Sequence, residues 1–147
     1  MKQQLFLCLM LIFGLTACHN HTEVTDKYPD GSPKRKITFR MNGDQKVLVH
    51  ETTYYPGKKL QMDGGYNNNQ RNGRWVYYYQ NGKLWSEGFF KNGRADGKRT
   101  TYFESGKVRY EGYFKDDDRV GVWRFYDENG KLLKEINFSA PPYNNKK

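Results

Sequence analysis

Aliphatic residues are scarce in this chain. Beyond position 17, Leu, Ile, Val and Phe total 21 of 130 residues, a share at which a highly charged chain is suspected of not folding. There are only five prolines, and no stretch after residue 17 places apolar residues at the 3.6-residue period of a helix. A helical fold is therefore excluded. Both cysteines, Cys8 and Cys18, fall in the first 18 residues, which leaves the rest without a disulfide framework or a thiolate zinc site. The one long apolar run, residues 5–14, is shorter than the ~20 residues a membrane-spanning helix needs. A phosphate-binding loop, a nucleophile elbow and a Cys/His pair are also missing, so nothing points to a cofactor.

Aromatic residues take the place of the missing aliphatics. Tyr and Trp together supply 15 large side chains, each able to bury area while keeping a polar tip in water. An ordered domain with a thin, aromatic core is expected.

Those aromatics recur. Residues 76–99 set above residues 100–123 give eight identities in 24 positions without a gap. They are Tyr78/Tyr102, Gly82/Gly106, Lys83/Lys107, Glu87/Glu111, Gly88/Gly112, Phe90/Phe114, Lys91/Lys115 and Gly97/Gly121. A fixed period of this length marks a repeat architecture. The period of 24 holds from Thr52 to Ser139, and a diverged copy begins at Tyr28 with a small insertion between Met41 and His50, giving about four and a half copies.

Each copy reads as a hairpin. Trp75 to Tyr79 is dense in strand-forming residues. Asn81-Gly82 follows as a type I′ turn signal, with Ser105-Gly106 and Asn129-Gly130 at the same place. Leu84, Ser86, Gly88 and Phe90 then alternate with Trp85, Glu87 and Phe89 at the period of a strand. Stacked copies form an apolar column, Leu60/Leu84/Val108/Leu132 and Tyr66/Phe90/Phe114/Phe138, with Gly64/Gly88/Gly112/Ile136 between. Those glycines are expected beneath a neighbouring ring. The expected fold is all-β, a single-layer antiparallel meander of repeated hairpins in which each copy covers the next.

The first residues carry an address. Lys2, the apolar run and small residues before Cys18 form a signal segment, and Leu15-Thr16-Ala17-Cys18 resembles a bacterial lipobox, the site at which Cys18 is lipidated. Two or three acyl chains on Cys18 would hold the protein at a membrane. The expected organisation is a lipoprotein signal peptide at 1–17, a flexible tether at 18–27, the repeat array at 28–139 and a disordered tail at 140–147. His19 stands where an Asp would favour inner-membrane retention, so the outer membrane of a bacterial envelope is preferred. Removal of Lys2 leaves 24 basic against 16 acidic residues, a charge of +8.

The pattern Tyr-x-x-x-Gly-Lys-Leu-x-x-Glu-Gly-x-Phe, then Gly-x-Trp, resembles the MORN repeat variant of bacterial envelope proteins. It is carried here by Tyr78, Gly82, Lys83, Leu84, Glu87, Gly88, Phe90 and Gly97, with Trp75 and Trp123 at the Trp place and Arg99 where a third Trp is expected. The resemblance implies an elongated, twisted sheet and no catalytic site. It further implies a scaffolding or binding role, or that of a YwqK-type antitoxin that neutralises a partner toxin. The expected partner is an envelope protein or a toxin.

The candidate binding face is aromatic. Trp75, Tyr77 and Tyr79 share one side of a strand, and with Trp85 and Trp123 they would form an exposed interaction stripe. Glycan or anionic lipid contact fits the same face, whereas nucleic acid is not expected for a lipoprotein in the envelope. The acidic column Asp63/Glu87/Glu111/Glu135 places carboxylates two strands apart, about 10 Å. That exceeds the separation a retaining glycosidase uses. Cross-strand pairing with Lys or Arg is expected there instead of catalysis. His19 and His21, and Asp116-Asp117-Asp118, lack the ligand spacing of a metal site, and none is expected.

Overall fold

The computed structural model describes residues 19–139. Ten strands form one antiparallel sheet in which each pairs with its neighbours in sequence. They are β1 (Asn20–Lys27), β2 (Pro33–Asn42), β3 (Gln45–Tyr54), β4 (Leu60–Asn67) and β5 (Gln70–Tyr78). The series continues with β6 (Leu84–Lys91), β7 (Arg94–Tyr102), β8 (Val108–Lys115), β9 (Asp118–Tyr126) and β10 (Leu132–Asn137). Among the described residues there is no α-helix, only a 3-10 turn at Pro56–Lys58. The expected single-layer meander of hairpins is the fold. The signal segment, Cys18 and the tail from residue 140 lie outside the described residues.

Two kinds of turn alternate. Asn68-Asn69, Asn92-Gly93 and Asp116-Asp117 join strands directly, with positive φ at both residues (50° and 84° at Asn92 and Gly93). That is type I′ geometry, whose twist matches the strands it joins. Asn81-Gly82, read above as the type I′ turn, sits in the other kind. There the Tyr79 N–H donates to Lys83 O at 2.8 Å and the Gly82 N–H to Tyr79 O at 2.9 Å. Only Gly82 is left-handed (φ 87°), because Asn81 Oδ1 accepts the Lys83 amide at 2.9 Å and stays right of the divide. The same closure recurs from Tyr28 to Ser32, Phe103 to Lys107 and Asp127 to Lys131.

The tether expectation is corrected. Residues 20–27 form β1, paired with β2 from Asn20↔Arg40 to Lys27↔Pro33. Its polar sequence shows no buried face because it has none: seven of its eight residues are exposed. Backbone pairing holds it, helped by Thr22 against Thr38 (2.8 Å), Lys46 on Glu23 (2.8 Å) and Lys34 on Asp26 (3.2 Å). His21 stacks on Phe39 at 5.7 Å between ring centres.

The core is a row running across the strands. Trp75 lies opposite Gly64 and Gly88, and Arg99 opposite Gly88 and Gly112. A Cβ built on Gly64 would fall 2.1 Å from the Trp75 ring, and one on Gly112 would fall 2.3 Å from the Trp123 ring. Glycine is required here so that a large side chain can lie flat on the neighbouring strand. Each tryptophan also donates its indole N–H to a carbonyl of that strand, Trp75 to Gly65 O (3.0 Å) and Trp123 to Tyr113 O (3.1 Å). Turn tyrosines tie successive hairpins: Tyr28 donates to Tyr54 O, Tyr55 to Tyr78 O and Tyr79 to Tyr102 O. The ladder stops at Phe103, which has no hydroxyl.

These contacts set an order of sensitivity. Gly112→Ala drives a methyl into a rigid, fully packed indole and should cost about 2–3 kcal/mol, within the range of overpacking. Gly88→Ala meets the Arg99 side chain, which can swing away, and should cost less than half of that. Urea midpoints of the two variants check the order.

Candidate functional site

A single layer gives the sheet two faces, and the row of glycines lies on only one. Trp75 and Trp123 belong to that face and are 0% and 1% exposed. The expectation that they form an exposed stripe is therefore wrong. Each indole is roofed by an arginine from its own strand: Arg71 Cζ sits 4.4 Å from the Trp75 ring centre and Arg119 Cζ 4.6 Å from that of Trp123. Rings close the sides. Tyr66 and Phe90 meet Trp75 edge-on at 5.2 and 5.9 Å, while Phe114 and Phe138 do the same for Trp123 at 5.0 and 6.0 Å. Stacked guanidinium and ring edges thus supply the cover that a second layer supplies elsewhere.

The other predicted residues divide. Tyr77 and Tyr79 are half-buried, and both pack on Trp85 at 6.1 Å. Trp85 is the exposed member, at 44%. The structure thus brings Trp75, Tyr77, Tyr79 and Trp85 together in one cluster. Trp123 stands apart in a second cluster, with Tyr110 and Phe125 at 6.0 and 6.4 Å.

Arg71, Arg99 and Arg119 were missed. Their signal is in the sequence: Arg stands four residues before Trp75 and before Trp123. In the copy between them Ala95 holds the first place and Arg99 the second. Arg99 fills the Trp slot, its Cζ 5.8 Å from the Phe90 ring centre and 5.8 Å from that of Phe114. Ala95 is buried opposite Phe90. The guanidinium is retained on this face but comes from a position four residues later.

The opposite face carries the acidic column, and it is paired as expected. Arg74 donates twice to Glu87 Oε2 (3.0 and 2.8 Å), Lys98 reaches Glu111 at 2.9 Å and Arg124 reaches Glu135 at 3.3 Å. Asp63 is the exception, held by His50 (2.8 Å) and Thr52 (2.9 Å). Tyr102 adds a hydroxyl bond to Glu87 and Tyr126 one to Glu111. Between Glu87 and Glu111 lies an open groove of about 360 Å³ with Phe89, Thr100 and Val108 in its wall. Burial raises the Glu87 pKa, but the bonds from Arg74 and Tyr102 outweigh it and hold the carboxyl below its ordinary value. Lys98 does the same for Glu111. Carboxylates kept ionised in this way are structural anions and poor proton donors.

Glu51 stands in the Trp slot two strands before Trp75 and is buried. Arg35 Nε donates to its Oε1 at 2.6 Å and the Tyr66 hydroxyl to its Oε2 at 2.6 Å. Burial again raises its pKa, and these two bonds outweigh that and lower it.

The spacing of Arg71, Ala95 and Arg119 coincides with the comparison to known families. Three segments match the MORN repeat variant. They are residues 71–92, 95–116 and 119–140; each begins at the start of an odd-numbered strand and crosses a five-residue turn, and the first two end at the next two-residue turn. Each matched segment thus covers one hairpin, β5–β6, β7–β8 or β9–β10. Strands β1–β4 continue the same sheet outside the matched segments. No curated protein matches the chain.

Because Glu51, Glu87 and Glu111 all have folded pKa values below their ordinary ones, the unfolded chain takes up more protons in acid. Their stabilisation is complete above the ordinary carboxylate range and is lost as pH falls through the lowered values. Glu51→Gln should flatten the acid limb of a stability–pH curve. Thermal midpoints from neutral pH to about pH 3 test this; an unchanged limb in Glu51→Gln contradicts it.

Proposed function

We propose that this chain is a non-enzymatic, membrane-anchored binding or scaffolding module of a bacterial envelope. The observation that carries the reading is that one face of a single-layer sheet is lined by stacked arginines, with a buried carboxylate, Glu51, bonded to Arg35 and attracted by Arg71. Arg71, Arg99 and Arg119 make no ion pair among the described residues, whereas Arg74, Lys98 and Arg124 on the other face each have one. MORN repeats often mediate protein or membrane binding, which supports the same reading. The carboxylates on the far face are committed to ion pairs and favour a structural role over catalysis.

Anchoring rests on Cys18 and the lipobox-like residues before it. Acyl chains there would keep the array beside an anionic leaflet, toward which a chain of net charge +8 (24 basic less 16 acidic) is attracted. Attachment would concentrate the array near envelope partners.

Two measurements test the reading. Metabolic labelling with an acyl probe should mark the protein and should not mark Cys18→Ser; equal labelling of both removes the anchor. Affinity capture of the lipidated protein from its own envelope should return one stoichiometric partner, reduced in a folded Arg71→Gln/Arg119→Gln variant. A partner that is toxic when produced alone would make the role antitoxin-like, and one resident in the envelope would make it a scaffold. Capture of the same proteins by both versions contradicts a role for this face.

A further inference from the structure

The three guanidiniums lie on one line. Trp75, Arg99 and Trp123 share the cross-strand row, and Arg71 and Arg119 reach back over the two indoles, so all three charges gather along it. They belong to β5, β7 and β9, two strands apart each time. That spacing is about 9.6 Å. Phe90 lies between the first two, with Arg71 Cζ at 5.5 Å and Arg99 Cζ at 5.8 Å from its ring centre.

One atom of this array is unsatisfied. Arg99 Nε is buried against Gly88 without a hydrogen-bond partner among the described residues, with Phe90 and Phe114 on either side of the side chain. A buried donor left without an acceptor costs stability. A Trp in this slot, as in the copies on either side, would avoid that cost. Arg99 is the one guanidinium of the three seated in the row itself, and no salt bridge among the described residues offsets its charge.

We propose that this face binds an extended acidic segment of a partner protein, its carboxylates meeting Arg71, Arg99 and Arg119 in turn. Two features favour a peptide over other anions. A polyproline II chain turns once in three residues and rises about 9.3 Å per turn, close to the two-strand interval, so acidic residues at every third position meet successive arginines. The rings between the arginines, Phe90 and Phe114, provide the apolar seats such a chain uses between its charged positions. Arginine matches a carboxylate with paired N–H donors. This inference rests on the protein-binding reading above and names its partner's chemistry.

The test uses the full chain in detergent and a labelled peptide of roughly 15 residues repeating Glu-Pro-Ala, followed by fluorescence anisotropy. The expected result is saturable binding that weakens with added salt and is weaker for a peptide of the same composition with Glu at irregular spacing. Arg99→Trp keeps a residue type this slot already accepts and should lower affinity about tenfold, checked alongside its urea midpoint. Ala95→Arg/Arg99→Trp restores the arrangement of the flanking repeats and should recover binding. Arg74→Gln, on the opposite face, should bind as the parent does. Equal affinity of the parent and a folded Arg99→Trp variant would overturn the proposal. So would equal affinity for both peptides, or binding to phosphatidylglycerol vesicles that the Glu-Pro-Ala peptide does not displace. If the peptide fails but an envelope protein is still captured through this face, the acidic-segment inference falls and protein binding stands. If capture fails as well, both fall.

Discussion

The hairpins β5–β6, β7–β8 and β9–β10 each lay a large side chain, Trp75, Arg99 or Trp123, over a glycine of the neighbouring strand. The contact is visible at Trp75 on Gly64 and Trp123 on Gly112, where even a methyl would collide with the ring. It needs three things at once: a strand without a Cβ, a carbonyl to accept the indole N–H, and a cover against water. Gly64 and Gly112 meet the first, Gly65 and Tyr113 the second, Arg71 and Arg119 the third. Without the arginine the indole would face solvent, because no second layer packs on the described residues. Hydrophobic burial in this protein is therefore carried by cations stacked on rings, which explains how so few aliphatic residues suffice.

The two faces then divide the charge. On one, carboxylates and cations pair across strands and leave little net field. On the other, Arg71 and Arg119 roof the indoles and, with Arg99, form no salt bridge among the described residues, although Glu51 attracts Arg71. The exchange of Arg-x-x-x-Trp for Ala95 and Arg99 shows that the charge persists even where the indole does not. The same side chains that exclude water from the core are thus the ones that present an anion-binding surface. Structure and recognition share one set of residues.

Much of this was legible in the sequence. The 24-residue period gave the hairpins, the alternation at residues 84–90 gave the strand, and the glycine column was expected beneath rings. Three points were not. Trp75 is buried because Arg71, four residues away on the same strand, covers it, a contact that strand alternation does not display. Asn81-Gly82 was taken as a type I′ turn because the dipeptide is shared by turns of different length; the two-residue turn fell at Asn92-Gly93. Strand β1 was read as a tether because an edge strand with both faces in water needs no apolar alternation.

The burial of the tryptophans under arginine is the claim from which the rest follows. Acrylamide quenching of the Trp85→Phe protein isolates it, since only Trp75 and Trp123 then emit. With both indoles at or below 1% exposure, the expected result is blue-shifted emission and weak quenching that rises to the unfolded value only in denaturant. Strong quenching of the folded protein would contradict the roofed core and with it the assignment of the arginine face.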